Sequence, residues 1–428
     1  MKKGVSKPSS KKQIFCWALY DWANSSYVLI VVAGFFPLFF KQYWASDLSA
    51  EQSTFQLGLA NSAASLCIVL LAPLLGSIAD AFSLRKRFLF FFTCLGILMC
   101  GCLTLVSEGN WQWAIGVYIF ASIGFSGGVV FSDSLLVYVA TEDKLDVVSA
   151  LGYGLGYLGG GLLFVLCVWM MQSPHTFLLE SSTAAIKLSF SLVAIWWAVF
   201  SIPIFLYVNE PESHHQKKDG KRYFFVGYKQ LRKTFSEIRR YKVVWIFLLS
   251  YWLYIDGVDT IVRMAIDYGL ALNLDAGNLI MALLLTQFVS FPAAIGFGYF
   301  GKRFGPKLGI QIALLVYIFV VLWAYQIQHT WEFYMLAVMI GLVQGGIQSL
   351  SRSLYARIIP VSQSAEFFGF YNMLGKFAAV LGPVMVAWVT LLSGSHRLAM
   401  LSIIVLFVSG GLLLMKVDVN KGTIVNET

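Results

Sequence analysis

Charge is scarce in this chain. Lys, Arg, Asp and Glu supply 12% of its 428 residues, against about 25% in a soluble domain. No Ser-His-Asp or Cys-His arrangement is readable and no Walker-type phosphate loop occurs, so neither nucleophilic catalysis nor ATP drive has residues to carry it. The cysteines (Cys16, Cys67, Cys94, Cys100, Cys102, Cys167) all lie in apolar stretches, at spacings that suit neither zinc nor a disulfide framework. They are expected to pack as small apolar side chains. Residues 154–159 fit a dinucleotide fingerprint in letters only, because they follow no strand and sit in an apolar helix. The expectation is a protein that is not an enzyme and binds no metal or cofactor. What the chain has in excess is apolar surface: 58% hydrophobic residues and a mean hydropathy of +0.73.

That surface falls into twelve stretches, near 14–43, 54–80, 88–107, 111–140, 147–172, 186–208, 243–270, 277–300, 308–327, 331–357, 364–392 and 396–416. About 20 helical residues cross a ~30 Å hydrocarbon core. The chain is therefore predicted to be an all-α membrane protein of twelve transmembrane helices. Two six-helix bundles, 1–208 and 243–428, would be joined by a basic linker, 209–242. The net charge of +9 could suggest nucleic acid, but its distribution opposes that. Of 31 Lys and Arg, 25 fall in the termini and loops of one face, and only Lys41, Lys187 and Arg397 on the other. The positive-inside rule then places both termini in the cytoplasm, with the protein in the cytoplasmic (inner) membrane. The first span is too long for a cleaved signal and carries Asp21, so it is expected to stay in the lipid. In the linker, Phe224, Tyr228, Leu231, Phe235 and Ile238 recur at helical spacing among basic residues. That segment is either an amphipathic helix on the membrane surface or a solvated connector. His214 and His215 beside it lack a third ligand nearby.

The two halves repeat one another. Gly76-x-x-x-Asp80, followed by Arg85-Lys86-Arg87, returns 222 residues later as Gly298-x-x-x-Lys302. Gly127-Gly128 before Ser132-Asp133-Ser134 returns as Gly345-Gly346 before Ser351-Arg352-Ser353, and Asp146-x-x-Ser149 as Glu366-x-x-Gly369. Repeats of this kind, in parallel, mark secondary transporters.

A charge at mid-bilayer costs about 2.5–3.5 kcal/mol on insertion scales, so the few polar groups inside the spans are the candidate site. Asp256, Asp259, Arg263 and Asp267 are spaced 3, 4 and 4 on one face of the seventh span. Arg263 can pair with Asp259 or Asp267, which leaves Asp256 without a partner on its own helix. Asp256 is the first candidate for a proton site and Asp259 the second; a static ion-pair ladder is the alternative. Asp21 and Asn24 form a matching polar turn in the first span, where Asp21 is a further proton or inner-gate candidate, or a snorkelling acid. Gln344, Gln348 and Arg352 make one stripe on the tenth span, suited to a solute with a carboxylate or phosphate. Asp133 occupies the position equivalent to Arg352, and a pair between them would close an inner gate; direct solute binding by Arg352 is the alternative. Asp146 and Glu366 open the fifth and eleventh spans, where an acid favours the helix dipole. The alternative for both is a gating contact with the basic loops. Gly152, Gly156 and Gly160 form a smooth face for close helix contact.

Gly76-Ser77-Ile78-Ala79-Asp80 with Arg85-Lys86-Arg87 resembles the loop 2–3 motif of the major facilitator superfamily. The second copy departs from it, with Lys302 where an Asp is usual. Across nearly the whole chain, five motifs are similar to the vacuolar-effluxer-like branch, whose fungal members are autophagy-related amino-acid effluxers. They are residues 20–25, 149–160, 256–260, 344–353 and 366–371. The fourth span departs as well, with Ser132-Asp133-Ser134-Leu135-Leu136 and no proline where members often carry Asn and Pro. The resemblance implies the major facilitator fold, a cavity lined by helices 1, 4, 7 and 10, and gating roles for Asp80 and Arg85. The expectation is a monomeric, proton-coupled carrier of a small polar or zwitterionic, amino-acid-like solute. A non-coupled pore, a lipid mover or a non-transporting sensor of the same fold are the alternatives.

Overall fold

The computed structural model describes the backbone of residues 10–210, 223–236, 241–271, 276–327, 329–394 and 396–419. Side chains are described at the same positions except 50–51, 223–227, 235–236, 263–271, 276–277, 378–380 and 396. Six apolar helices come first: α1 (Lys11–Trp44), α2 (Ala50–Phe82), α3 (Arg85–Cys102), α4 (Trp111–Val139), α5 (Leu145–Gln172) and α6 (Ser182–Tyr207). A linker helix (Tyr223–Ser236) leads to α7 (Lys242–Ala271), α8 (Ala276–Phe304), α9 (Pro306–Gln326), α10 (Thr330–Ile358), α11 (Ser364–Ser393) and α12 (Arg397–Met415). No strand occurs among the described residues. All twelve long helices are apolar enough to cross a membrane, and they match the expected spans to within a few residues.

Local sequence sets their ends. Ser10 with Gln13 and Ser49 with Gln52 form reciprocal capping boxes at the starts of α1 and α2. Gly305, at φ +91°, turns the chain into Pro306 at the first position of α9. One helix departs from the expected regularity. After Ser26, α1 widens into π-helical turns at Tyr27–Phe35 and Phe40–Trp44. Pro37 lies between them, and a proline cannot donate to the ladder; the Phe36 N–H reaches back five residues to the Val31 carbonyl.

The halves meet through a pseudo-twofold exchange: α2 packs on α11, and its repeat mate α8 packs on α5. The repeated glycines make this possible. A Cβ on Gly76 would strike the Ala365 carbonyl of α11, and one on Gly298 would strike Ala150 of α5. Lipid tails are as apolar as leucine, so close packing and polar contacts hold these helices together more than burial does. One buried cluster runs through both halves, from Trp17 and Leu135 to Tyr355 and Phe368. The linker helix packs on α2, so it is a docked connector, with Thr234 buried beside Glu366.

Candidate functional site

The face that carries the basic loops is shut, and its deepest closure is built on Arg352 of α10. The Nε–H donates to Ser149 Oγ (2.9 Å) and Nη1 to Asp133 Oδ1 (2.9 Å) and Asp21 Oδ2 (3.0 Å). Nη2 donates to Asp21 Oδ2 (3.0 Å) and to the Ser149 carbonyl (2.9 Å). A guanidinium has five N–H donors, so all of them are used. The Tyr153 ring lies 4.2 Å and the Trp17 ring 4.9 Å from the guanidinium carbon, which stacks the cation between aromatic faces. Trp17 is fixed by its own bond to the Ser132 carbonyl (2.8 Å). Asn372 of α11 donates to the second oxygen of Asp133 (3.3 Å). Gly152 admits the assembly: a Cβ there would strike Asp21 Oδ2 and sit 2.8 Å from Arg352 Nη2. The bridge joins α1, α4 and α5 of the first half to α10 and α11 of the second.

Two latches flank this bridge. On one side, Asp80 at the end of α2 accepts the backbone N–H groups of Ala365 (3.0 Å) and Glu366 (2.8 Å), which lie unpaired at the start of α11. Arg85 pairs with Asp80 and Glu210 and reaches the Ser362 carbonyl. Tyr138 donates to the Val361 carbonyl (2.7 Å). On the other side, Asp146 at the start of α5 takes Arg357 (2.6 Å) and the Ser353 hydroxyl. Lys302, the departure from the repeat, is exposed and lies near Asp143 in the turn before α5. The charge pattern is thus inverted between the latches: an acid of α2 faces the start of α11, and a base of α8 faces an acidic turn before α5.

Beyond the bridge, Tyr157 donates to Gln348 Oε1 and joins α5 to α10. Asp259 of α7 is half-buried and within electrostatic reach of Tyr153, Tyr157, Tyr251 and Tyr317. Lys376 of α11, also half-buried, stands 5.8 Å from the Phe125 ring of α4. A separate, mainly apolar cavity of about 90 Å³ lies inside the second half, and Gln287 and Gln344 are among its walls.

The expected site residues are therefore divided among different places. Asp133 and Arg352 are in contact, and Asp21 joins them. Gln344 lines the apolar cavity, Gln348 accepts from Tyr157, and Arg352 forms the bridge, so the three residues of the α10 stripe have different neighbours. Asn24 is buried between helices, with its Nδ2 unpaired among the described residues. Asp256 is not the partnerless acid the spacing suggested. It is fully buried against α11, and its Oδ1 accepts the Gly382 N–H (3.0 Å) and the hydroxyl of Thr260 on its own helix (3.4 Å). The side chains of Arg263 and Asp267 lie outside the described residues, as do His214 and His215. At Glu366 the latch uses the backbone N–H, while the carboxylate sits beside Thr234. Sequence reasoning assigned nothing to Ser149, Tyr153, Asn372, Ser353, Arg357 or Glu210. Ser149 and Tyr153 are four residues apart and so share a face of α5 with Gly152 beside them, a signal that was available. Asn372, Arg357 and Glu210 carried none.

Comparisons with known proteins agree with this architecture. A family model described as vacuole effluxer Atg22 like matches residues 49–145 and 138–426. The chain is 37% identical, over 97% of both sequences, to YxiO of Bacillus subtilis, an uncharacterized MFS-type transporter. It is 23% identical to autophagy-related protein 22 of Coccidioides immitis, over 97% of this chain and 88% of that one. Its fold is similar to the human organic anion transporter MFSD10 (TM-score 0.72, 15% identity, 94% of this chain and 98% of that chain). It is also similar to the major facilitator superfamily transporter FucP in its outward conformation (TM-score 0.70, 15% identity, 95% and 98%). A repeat related by a pseudo-twofold, a shut face and a family match running almost end to end have one common source. This multi-pass membrane protein belongs to the vacuole effluxer Atg22-like family and is a transporter of the major facilitator superfamily.

Proposed function

We propose that this transporter moves a small polar or zwitterionic, amino-acid-like solute by alternating access, coupled to protons. The basic face is the cytoplasmic one, with both termini on it, in the cell's inner membrane. The halves 1–208 and 243–428 rock as bodies about the α2–α11 and α5–α8 contacts, while 209–242 connects them. The observation that carries this reading is the Arg352 bridge: a saturated, buried link between halves on one face only makes sense as a contact that must also break. In the state described here the solute would enter from the opposite side and meet Asp259, Gln348, Tyr157 and Lys376, with Asn24 and Arg263 as further contacts. An acid for an ammonium group and a base for a carboxylate, set among aromatic faces, suit a zwitterion. Asp21, Asp256 and Asp259 are the candidate proton carriers, and the protein would work as a monomer.

Purified protein in sealed vesicles, given an inward or outward pH gradient and a panel of labelled amino acids, tests this. Saturable flux that follows the gradient is the expected result. Flux that rises linearly with solute and ignores the gradient would instead mark a pore, and no flux with retained ligand binding would mark a sensor.

A further inference from the structure

The linker helix (Tyr223–Ser236) is docked on one side and exposed on the other. Leu231 packs on the buried cluster, and Thr234 is 2% exposed, beside Glu366 in the first turn of α11. Tyr228, Lys229, Arg232 and Lys233 are exposed. At about 100° per residue these four cover about 140° of the helix surface, facing away from Leu231 and Thr234. Three of the four are cations.

The charge on this helix is of one sign. Residues 223–236 include no acid, and the whole linker, 209–242, has ten Lys and Arg against four Asp and Glu. A helix face turned to water ordinarily mixes acids with its bases at spacings of 3 and 4. Neither Lys229 nor Arg232 has an ion-pair partner among the described residues. Arg239 and Arg240 lie outside them. Depth identifies the missing counter-charge. The helix packs on α2, and Thr234 meets α11 in its first turn, where that apolar span leaves the hydrocarbon. An exposed tyrosine set among bases at that depth matches the headgroup layer, which gathers aromatic rings and attracts cations to anionic lipid. We propose that this face of the linker helix docks anionic phospholipid of the adjoining leaflet. Lys229 and Arg232 meet the phosphates, and Tyr228 sits among the headgroups. No residue of the Arg352 bridge belongs to this surface, and lipid binds it whether or not a solute is moved.

A bimane fluorophore on Tyr228→Cys, in the full chain without native cysteines, reads lipid enrichment at this face; its ring stands in for the tyrosine. The protein is held in phosphatidylcholine nanodiscs that contain equal small fractions of either phosphatidylglycerol or phosphatidylcholine bearing a nitroxide high on one acyl chain. The labelled phosphatidylglycerol should quench more strongly. Salt should shrink the difference, because exposed charges are screened beyond about 8 Å at 0.15 M ionic strength. One basic residue near an anionic surface is worth about 1 kcal/mol, or about fivefold in local enrichment. Lys229→Gln and Arg232→Gln should therefore each lower the preference by up to about fivefold. Lys229→Arg with Arg232→Lys should keep it, and so should Lys41→Gln, an exposed charge at the far end of α1. Equal quenching by the two lipids in the parent overturns the proposal, as does a preference that survives both glutamine substitutions. No quenching by either lipid would place the helix away from the bilayer, which overturns it too. Millimolar inorganic phosphate that abolishes the preference at constant ionic strength would mark a site for free anions in place of a lipid surface, and also overturns it.

Discussion

At the scale of single residues, Arg352 is the group on which most of the shut face depends. Arg352→Ala leaves two buried acids facing one another with nothing to hold them. Removing one member of a buried ion pair typically costs about 3–5 kcal/mol, so the shut form should be lost and the melting temperature of the purified protein should fall. Arg352→Lys should recover little. Lysine offers three donors on a flexible stem where five are used in a plane, and it cannot stack between Tyr153 and Trp17 in the same way. Adding Asp133→Asn to Arg352→Ala should restore part of the melting temperature, because it removes one of the stranded charges; no recovery would mean that the charge balance does not set the cost. The Asp133–Arg352 contact was legible in the sequence because the repeat places opposite charges 219 residues apart at equivalent positions. The entry of Asp21 was less legible. Periodicity gives the face of a helix but not how far a neighbouring helix has rotated to meet it, and the glycine face at 152, 156 and 160 hinted at a close approach without naming α1.

At the scale of elements, α11 carries a proline where α7 packs on it. Pro383 removes a rung of the helix ladder and disturbs the preceding turn. The Gly382 N–H donates to Asp256 Oδ1, and the absence of a Cβ on Gly382 leaves room for the Thr260 hydroxyl. Asp256→Asn retains an acceptor oxygen and should melt close to the parent. Asp256→Leu strands the N–H and should lose about 1–3 kcal/mol of stability, the cost of an unsatisfied buried donor. Gly382→Ala should also lower the melting temperature, and Thr260→Ala should partly rescue it; a neutral Gly382→Ala would show that α11 is not held in this way. The sequence marked Asp256 as exceptional but did not show its contacts with Gly382 and Thr260. Four polar residues on one face can serve a water-filled site or a neighbouring helix, and the period alone does not distinguish them. Gly76 and Gly298 were legible as a repeated pair, not as contacts between the halves. Spin labels on Glu142→Cys and Val361→Cys, on opposite halves at the shut face, report closure in a background without native cysteines. Gly76→Leu should prise α11 from α2 and shift the spin-label distance to the long value, whereas Gly58→Leu, at a site with open space around it, should not.

At the scale of the whole molecule, the halves share a backbone plan but oppose each other in charge. Asp80 is answered by Lys302 in the repeat, and Asp133 by Arg352. The pseudo-twofold brings Asp133 and Arg352 into contact across the interface, where identical charges would repel, while Asp80 and Lys302 sit in separate latches. The twelve spans and the repeat were plain from hydropathy and spacing because lipid demands long apolar helices. Which face is shut was not, because both conformers of a carrier use the same sequence. The latches now allow a test of how that closure is shared. Among the described residues Asp80 and Asp146 hold different partners: one the start of α11 and Arg85, the other Arg357 and Ser353. Effects at sites without shared partners add to within a few tenths of a kcal/mol, and those within one network do not. Asp80→Asn and Asp146→Asn should each weaken closure by about 1.5–3 kcal/mol, the worth of a charge-assisted hydrogen bond, and together by the sum, as read from the ratio of short to long spin-label distances. Asp21→Asn and Asp133→Asn should depart from additivity by more than about 0.5 kcal/mol, since both act on the same guanidinium. The opposite pattern, coupled latches and independent bridge acids, would mean that the shut face closes as a zipper from its rim rather than by assembling around Arg352.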